Sequence, residues 1–122
     1  MRFLLIFCLV TLIPVGALAC KSFFGTDQKA VDRVQSSWFA AEDLMANHKY
    51  AKALKELEAT SRFLPLIHDA NTRSCVAGGA GLRVAAAKAG KAYLSLHRGD
   101  KAGAEIAAHR VWVQYPIRNN CP

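Results

Sequence analysis

Four times between residues 27 and 116, apolar side chains recur at three- and four-residue intervals, and no stretch alternates apolar with polar residues. A period near 3.6 collects such residues on one face of a helix, whereas a half-buried strand needs a period of two. The chain is therefore expected to be all-α. Val31, Val34, Trp38, Ala41 and Met45 make the first stripe, with Thr26 as its expected N-cap. Tyr50, Ala53, Leu54, Leu57, Ser61 and Leu64 make the second, which Pro65 is expected to stop. A third helix runs from about Asp69 to Arg98 and holds Gly78, Gly79, Gly81 and Gly90 among many alanines. Each glycine costs about 1 kcal/mol of helix propensity relative to alanine. Such a helix either breaks near Gly78-Gly79 or approaches a neighbour closely. The fourth begins after Gly99-Asp100, is expected to bury Ala104, Ala107, Ala108, Val111 and Tyr115, and ends at Pro116. Short connections make these four main helices two antiparallel hairpins.

The start of the chain reads differently. Met1 and Arg2 precede an apolar run from Phe3 to Val15, and Ala17-Leu18-Ala19 stands directly before Cys20. A charged start, an apolar centre and a small-residue exit are the parts of a secretory signal. The apolar run falls short of the roughly 20 residues a membrane-spanning helix needs. The expected division is a signal peptide over 1–19, a tether over 20–26 and a single helical domain over 27–122. Ala17-Leu18-Ala19 suits ordinary signal peptidase. It also resembles a bacterial lipobox, with Ala17 where the strict form has leucine. That resemblance implies a diacylglycerol on the Cys20 thiol and an acyl group on its amine. Lys21 replaces the aspartate that commonly holds enterobacterial lipoproteins in the inner membrane, which implies the outer membrane as destination. The alternative is a soluble periplasmic or secreted protein.

Export also bears on the cysteines. Cys8 leaves with the signal, and Cys20, Cys75 and Cys121 remain in an oxidising compartment. An odd thiol there needs an explanation, and lipidation of Cys20 supplies one, leaving Cys75 and Cys121 as an expected disulfide. On the chain-entropy model that bridge is worth about 4 kcal/mol. The net charge of +7 becomes +6 without Arg2. Outside the cytosol the natural partners of a basic protein are phospholipid headgroups and acidic protein surfaces rather than nucleic acid. Lys49, Lys52 and Lys55 recur every third residue as a slowly drifting basic line, either a solvated face or a contact stripe.

The second and fourth helices align without a gap at an offset of 51 residues: Asn47 to Ala53 on Arg98 to Ala104, and Pro65 on Pro116. This resembles the tetratricopeptide repeat, in which a Gly-Asp-Tyr turn leads into a helix with a small residue and then a proline. The matching residues are Tyr50, Ala53 and Pro65 in the first unit and Gly99, Asp100, Ala104 and Pro116 in the second. His48 and Lys49 depart from the Gly-Asp pair, Lys101 from the tyrosine, and the spacing from the usual 34. The resemblance implies a stack of helix hairpins with a concave surface for a protein partner; a compact four-helix bundle is the alternative. In such a stack the inner faces of the first and third helices build the surface, with Trp38, Phe39, Arg83 and Tyr93 as its candidates; the core is the alternative place for Trp38 and Tyr93, as for large aromatics at helical spacing.

Catalytic signatures are sparse. His48, His68, His97 and His109 form no metal-ligand spacing, and Gly78-Gly79-Ala80-Gly81 lacks the lysine and hydroxyl of a phosphate loop. Glu56 and Glu58, two apart, face different directions. The expected function is a non-enzymatic envelope protein without metal or cofactor: an assembly factor, secretion-system component or immunity protein. It would bind another protein through its helical surface and the membrane through lipidated Cys20, with a homodimer as a further option. A small envelope enzyme or ligand carrier with a pocket near the glycine-rich third helix is the alternative.

Overall fold

A computed structural model describes residues 24–116. The signal segment, Cys20 and Cys121 lie outside the described residues. Helix α1 spans Gln28–Ala46, α2 Tyr50–Leu57, α3 the single turn Thr60–Phe63, α4 Ala70–Leu96 and α5 Lys101–Gln114. Short 3-10 turns at Gly25–Asp27 and Leu64–Leu66 precede α1 and follow α3. The described residues are all-α, arranged as two helix hairpins. Helix α4, 27 residues and thus about 40 Å long, packs on α1, α2 and α5 and is the spine of the molecule.

Val31, Val34, Ala41, Ala53, Leu57, Ile67, Val76 and Ala87 form the core where α1, α2 and α4 meet. Removing a valine, leucine or isoleucine side chain from water stabilises by about 1.5–3 kcal/mol. The first stripe therefore folds as read, with Met45 packed at the core's edge. Its start does not. Thr26 is exposed within the 3-10 turn, and Asp27 occupies the cap position without a side-chain capping bond. The Asp27 carboxylate instead accepts from the backbone N–H groups of His68, at 2.8 Å, and Asp69, at 3.0 Å. It ties the start of α1 to the loop that leads into α4.

The second stripe ends earlier than Pro65. Helix α2 stops at Leu57, and the backbone continues through bonds of 3-10 type, Ala59 N–H to the Glu56 carbonyl and Arg62 N–H to that of Ala59. Hydroxyls compete for the carbonyls here: Thr60 Oγ1 donates to Leu57 O and Ser61 Oγ to Glu58 O. With the register broken, Ser61 turns to solvent. Pro65 lies inside the second 3-10 turn, where its missing N–H costs little.

Helix α4 is unbroken across its glycines because aromatic rings need the space. A Cβ on Gly79 would meet Trp38 Cη2 at 2.6 Å, one on Gly81 would meet the Tyr115 hydroxyl at 2.5 Å, and one on Gly90 would meet Tyr50 Cδ1 at 2.6 Å. Each ring comes from a different helix or helix end, so the glycines admit close neighbours on several sides. Tyr50 is buried, and burial raises its phenol above the ordinary range, with Glu105 adding to the rise.

Helix α5 packs chiefly on α4. Of its expected buried residues only Ala104 is fully enclosed; Ala107, Ala108, Val111 and Tyr115 are half-buried, because a helix with one principal neighbour has one covered face. The two aligned turns share a backbone feature. His48 and Gly99 occupy equivalent positions and both are left-handed, at φ 59° and 84°. The aligned Ala53 and Ala104 are both fully buried. Among the described residues no helix is long and apolar enough to cross a membrane.

Candidate functional site

Arg83 on α4 joins three helices. Its Nε and Nη2 donate to Glu42 Oε1 on α1, at 2.8 and 2.7 Å, and Nη1 donates to the Gly79 carbonyl at 2.8 Å. The guanidinium lies 4.3 Å from the Trp38 ring centroid and 5.1 Å from that of Trp112 on α5. A carboxylate, a carbonyl and two indoles thus surround the guanidinium, and 13% of the side chain is exposed. Stacking against both indoles together with a two-nitrogen contact on one carboxylate suits arginine and not lysine. Trp38 is only 9% exposed, with its indole Nε1 buried and without a hydrogen-bond partner. Trp38 and Arg83, read from the sequence as candidates for an exposed surface, therefore form a packed joint. Large aromatics at helical spacing bury too much area to be left in water.

The other candidates are dispersed. Phe39 is half-buried on α1. Tyr93, also half-buried, donates its hydroxyl to Asp100 Oδ2 at 2.7 Å and lies 4.5 Å from His97 between ring centroids. The bond to Asp100 raises the Tyr93 phenol above the ordinary range. Asp100 caps α5 by accepting from Gly103 N–H at 2.9 Å, and that contact, followed by the tyrosine hydroxyl, holds its carboxyl below the usual range. Tyr93 thus braces the α4–α5 turn. Cys75 is disulfide-bonded; its expected partner Cys121 lies outside the described residues, as does Cys20.

Lys49, Lys52 and Lys55 are all exposed along α2. None of them is in an ion pair among the described residues, where cations pair with carboxylates only at His48–Glu105, His68–Asp27 and Arg83–Glu42. The basic line is thus an open edge of three cations on a short rigid helix. Beyond it, an open groove of about 710 Å³ is lined by Leu64, Pro65, Ala70, Arg73, Ser74 and Ala77, with one charged group.

Sequence reasoning missed the contact of His68 with Asp27. Nδ1 of His68 lies 3.1 Å from Asp27 Oδ1, a pairing 41 residues apart that no local spacing could reveal. Asp27 is buried and its carboxyl is held below the usual range, first by the His68 backbone N–H and then by that of Asp69. It also missed the outer face of α5. Ile106 and Val113, seven apart and exposed at 55% and 62%, were legible as the residues left over from the inward stripe. Among the described residues no three of His, Cys, Asp and Glu come together as a metal site.

The glycine-rich segment holds no open space at Gly79, Gly81 or Gly90, since rings fill it. What the surface offers is therefore contact area: the basic edge of α2, the groove beside the second 3-10 turn and the outer face of α5. No known protein family matches the sequence, and neither a curated protein nor a solved structure matches it.

Proposed function

We propose that this chain is a non-enzymatic, exported helical module that binds an acidic protein partner through the basic edge of α2. The observation that carries the reading is the exposure of Lys49, Lys52 and Lys55 with no carboxylate of the described residues paired to them. Unpaired cations on a rigid helix add steering and register to an encounter with an acidic surface. The shared left-handed turn residues and the fully buried Ala53 and Ala104 support a duplicated hairpin, the element of which tetratricopeptide-like stacks are made.

The module is delivered by the signal in residues 1–19 and anchored by acylated Cys20 in the outer membrane. Its covalent closure is a bridge from Cys75 to Cys121, a reading supported by the disulfide-bonded state of Cys75. Peptide mapping without reductant is expected to recover Cys75 linked to Cys121, and intact mass to exceed the polypeptide from Cys20 onward by a lipid increment. An unmodified Cys20 amine removes the anchor and leaves export standing.

Co-purification from envelope extracts tests the binding itself. The tagged chain is expected to recover an acidic protein, and Lys49→Glu/Lys52→Glu/Lys55→Glu is expected to lose it while keeping its helical content. Unchanged recovery with the triple variant, together with turnover of an envelope substrate by the purified chain, overturns the reading in favour of an enzyme.

A further inference from the structure

Helix α5 has a second face. Ala104, Ala107, Ala108, Val111, Trp112 and Tyr115 are buried or half-buried, whereas Ala102, Glu105, Ile106, His109, Arg110 and Val113 are all exposed. The exposed set has a period. Ile106 and Val113 are seven apart, Ala102 and His109 are seven apart, and the two series interleave at intervals of four and three. That is the seam of a two-stranded coiled coil, with Ile106 and Val113 at the a positions and Ala102 and His109 at d. Glu105 directly precedes the first a position and Arg110 directly follows the second d position, the g and e places that flank such a seam. Among the described residues α5 lies chiefly on α4, which leaves this face open.

We propose that a second copy of this chain docks on the face, the two α5 helices running parallel about a two-fold axis. The charges choose this occupant and this direction. In a parallel pair, the g residue of one helix meets the e residue five positions on in the other; Glu105 and Arg110 are five apart and of opposite sign. The symmetric assembly therefore makes two Glu105–Arg110 ion pairs, one on each side of the seam. In an antiparallel pair g meets g and e meets e, which sets Glu105 against Glu105 and Arg110 against Arg110. Glu105 remains available: its side chain is 74% exposed, and among the described residues its ion pair is with His48 Nε2 at 3.5 Å.

The seam is two heptads long, with a small residue and a histidine at d, and belongs with the weak class of specific interfaces. Self-association is thus reversible and appears at high protein concentration. Glu105 reaches His48 beside Lys49, so the dimer is told apart from the acidic partner by Ile106→Asp/Val113→Asp, which leaves Glu105 and the three lysines in place.

Sedimentation equilibrium of the purified chain over a range of concentrations, reaching about 1 mM, tests the proposal. The wild-type chain is expected to follow a monomer–dimer equilibrium. Ile106→Asp/Val113→Asp, at two exposed positions, is expected to be monomeric with unchanged helical content. Glu105→Arg alone and Arg110→Glu alone should each weaken the dimer by about 3- to 10-fold, the scale of two exposed ion pairs lost. The exchange Glu105→Arg/Arg110→Glu should restore it to within about twofold. A wild-type chain that stays monomeric overturns the proposal, as does a dimer indifferent to Ile106→Asp/Val113→Asp. Single reversals without effect overturn the parallel arrangement. A monomer that still recovers an acidic protein through α2 removes the dimer and leaves the proposed function intact.

Discussion

Gly78 and Gly79 are neighbours on one helix and carry opposite predictions. A Cβ at Gly78 meets nothing within 4 Å, so Gly78→Ala is expected to stabilise the chain by about 1 kcal/mol, the difference in helix propensity. The Cβ of Gly79→Ala would lie 2.6 and 2.8 Å from two Trp38 ring carbons, and the ring is held by the Arg83 guanidinium on one face. Overpacking of this kind costs roughly 1–3 kcal/mol. It offsets or exceeds the propensity gain, and in denaturant melts Gly78→Ala should lie above the wild type and Gly79→Ala at or below it. Equal stabilisation by both would contradict the seating of Trp38 on Gly79. Carboxylates give the second prediction at this scale. Backbone N–H groups hold Asp27, Asp69 and Asp100 below the ordinary carboxyl range, from His68, Thr72 and Gly103 respectively as the largest cause. A depressed folded value means that the stabilisation is complete above the unfolded value of about 3.9 and is lost as pH falls through the folded one. Melting temperature is therefore expected to drop on acidification below about pH 4. Asp27→Asn should lower it at neutral pH and flatten its acid limb; an unchanged limb would remove Asp27 from that role.

The α4–α5 hairpin hinges on a few polar contacts at its turn. Asp100→Ala removes the cap on Gly103 N–H and the Tyr93 hydroxyl bond together. The expected result is faster amide exchange in α5 with α1 unaffected, because α5 rests mainly on α4 whereas α1 lies in the core; equal acceleration in both would contradict this division. The helical stripes were legible in the sequence because Val31, Val34, Trp38 and Ala41 repeat at helical spacing and are buried as a set. The starts of α4 and α5 at Asp69 and Asp100 were legible for a local reason, an acidic cap three residues before the N–H that it accepts. The break after Leu57 was not, since Thr60 and Ser61 compete for carbonyls that the periodicity assigns to a continuous helix. Nor was the cap of α1, because Asp27 answers a demand from residues 41 and 42 positions away. The two outcomes for the glycines, a break or a close approach, could be separated only by the rings of Trp38, Tyr50 and Tyr115, which arrive from other parts of the fold.

At the scale of the molecule, the candidate site was partly legible. The basic line of Lys49, Lys52 and Lys55 is a local pattern on a short helix, and its exposure follows from the opposite face being filled by Ala53 and Leu57. Helical spacing leaves Trp38 open to core or surface and Arg83 to surface, because a sequence does not reveal that an arginine forty-one residues from Glu42 will bring that carboxylate, a carbonyl and two indoles together. As proposed above, the helical module works through two surfaces, α2 for an acidic partner and α5 for its own copy. Photo-cross-linking in the intact envelope, with a photoreactive residue placed in turn at Lys52 and Val113, tests that account most directly. The prediction is a cross-link from position 52 to a different, acidic protein and from position 113 to the chain itself. Cross-links from position 52 to no protein, or to proteins without an acidic surface, would contradict its central claim.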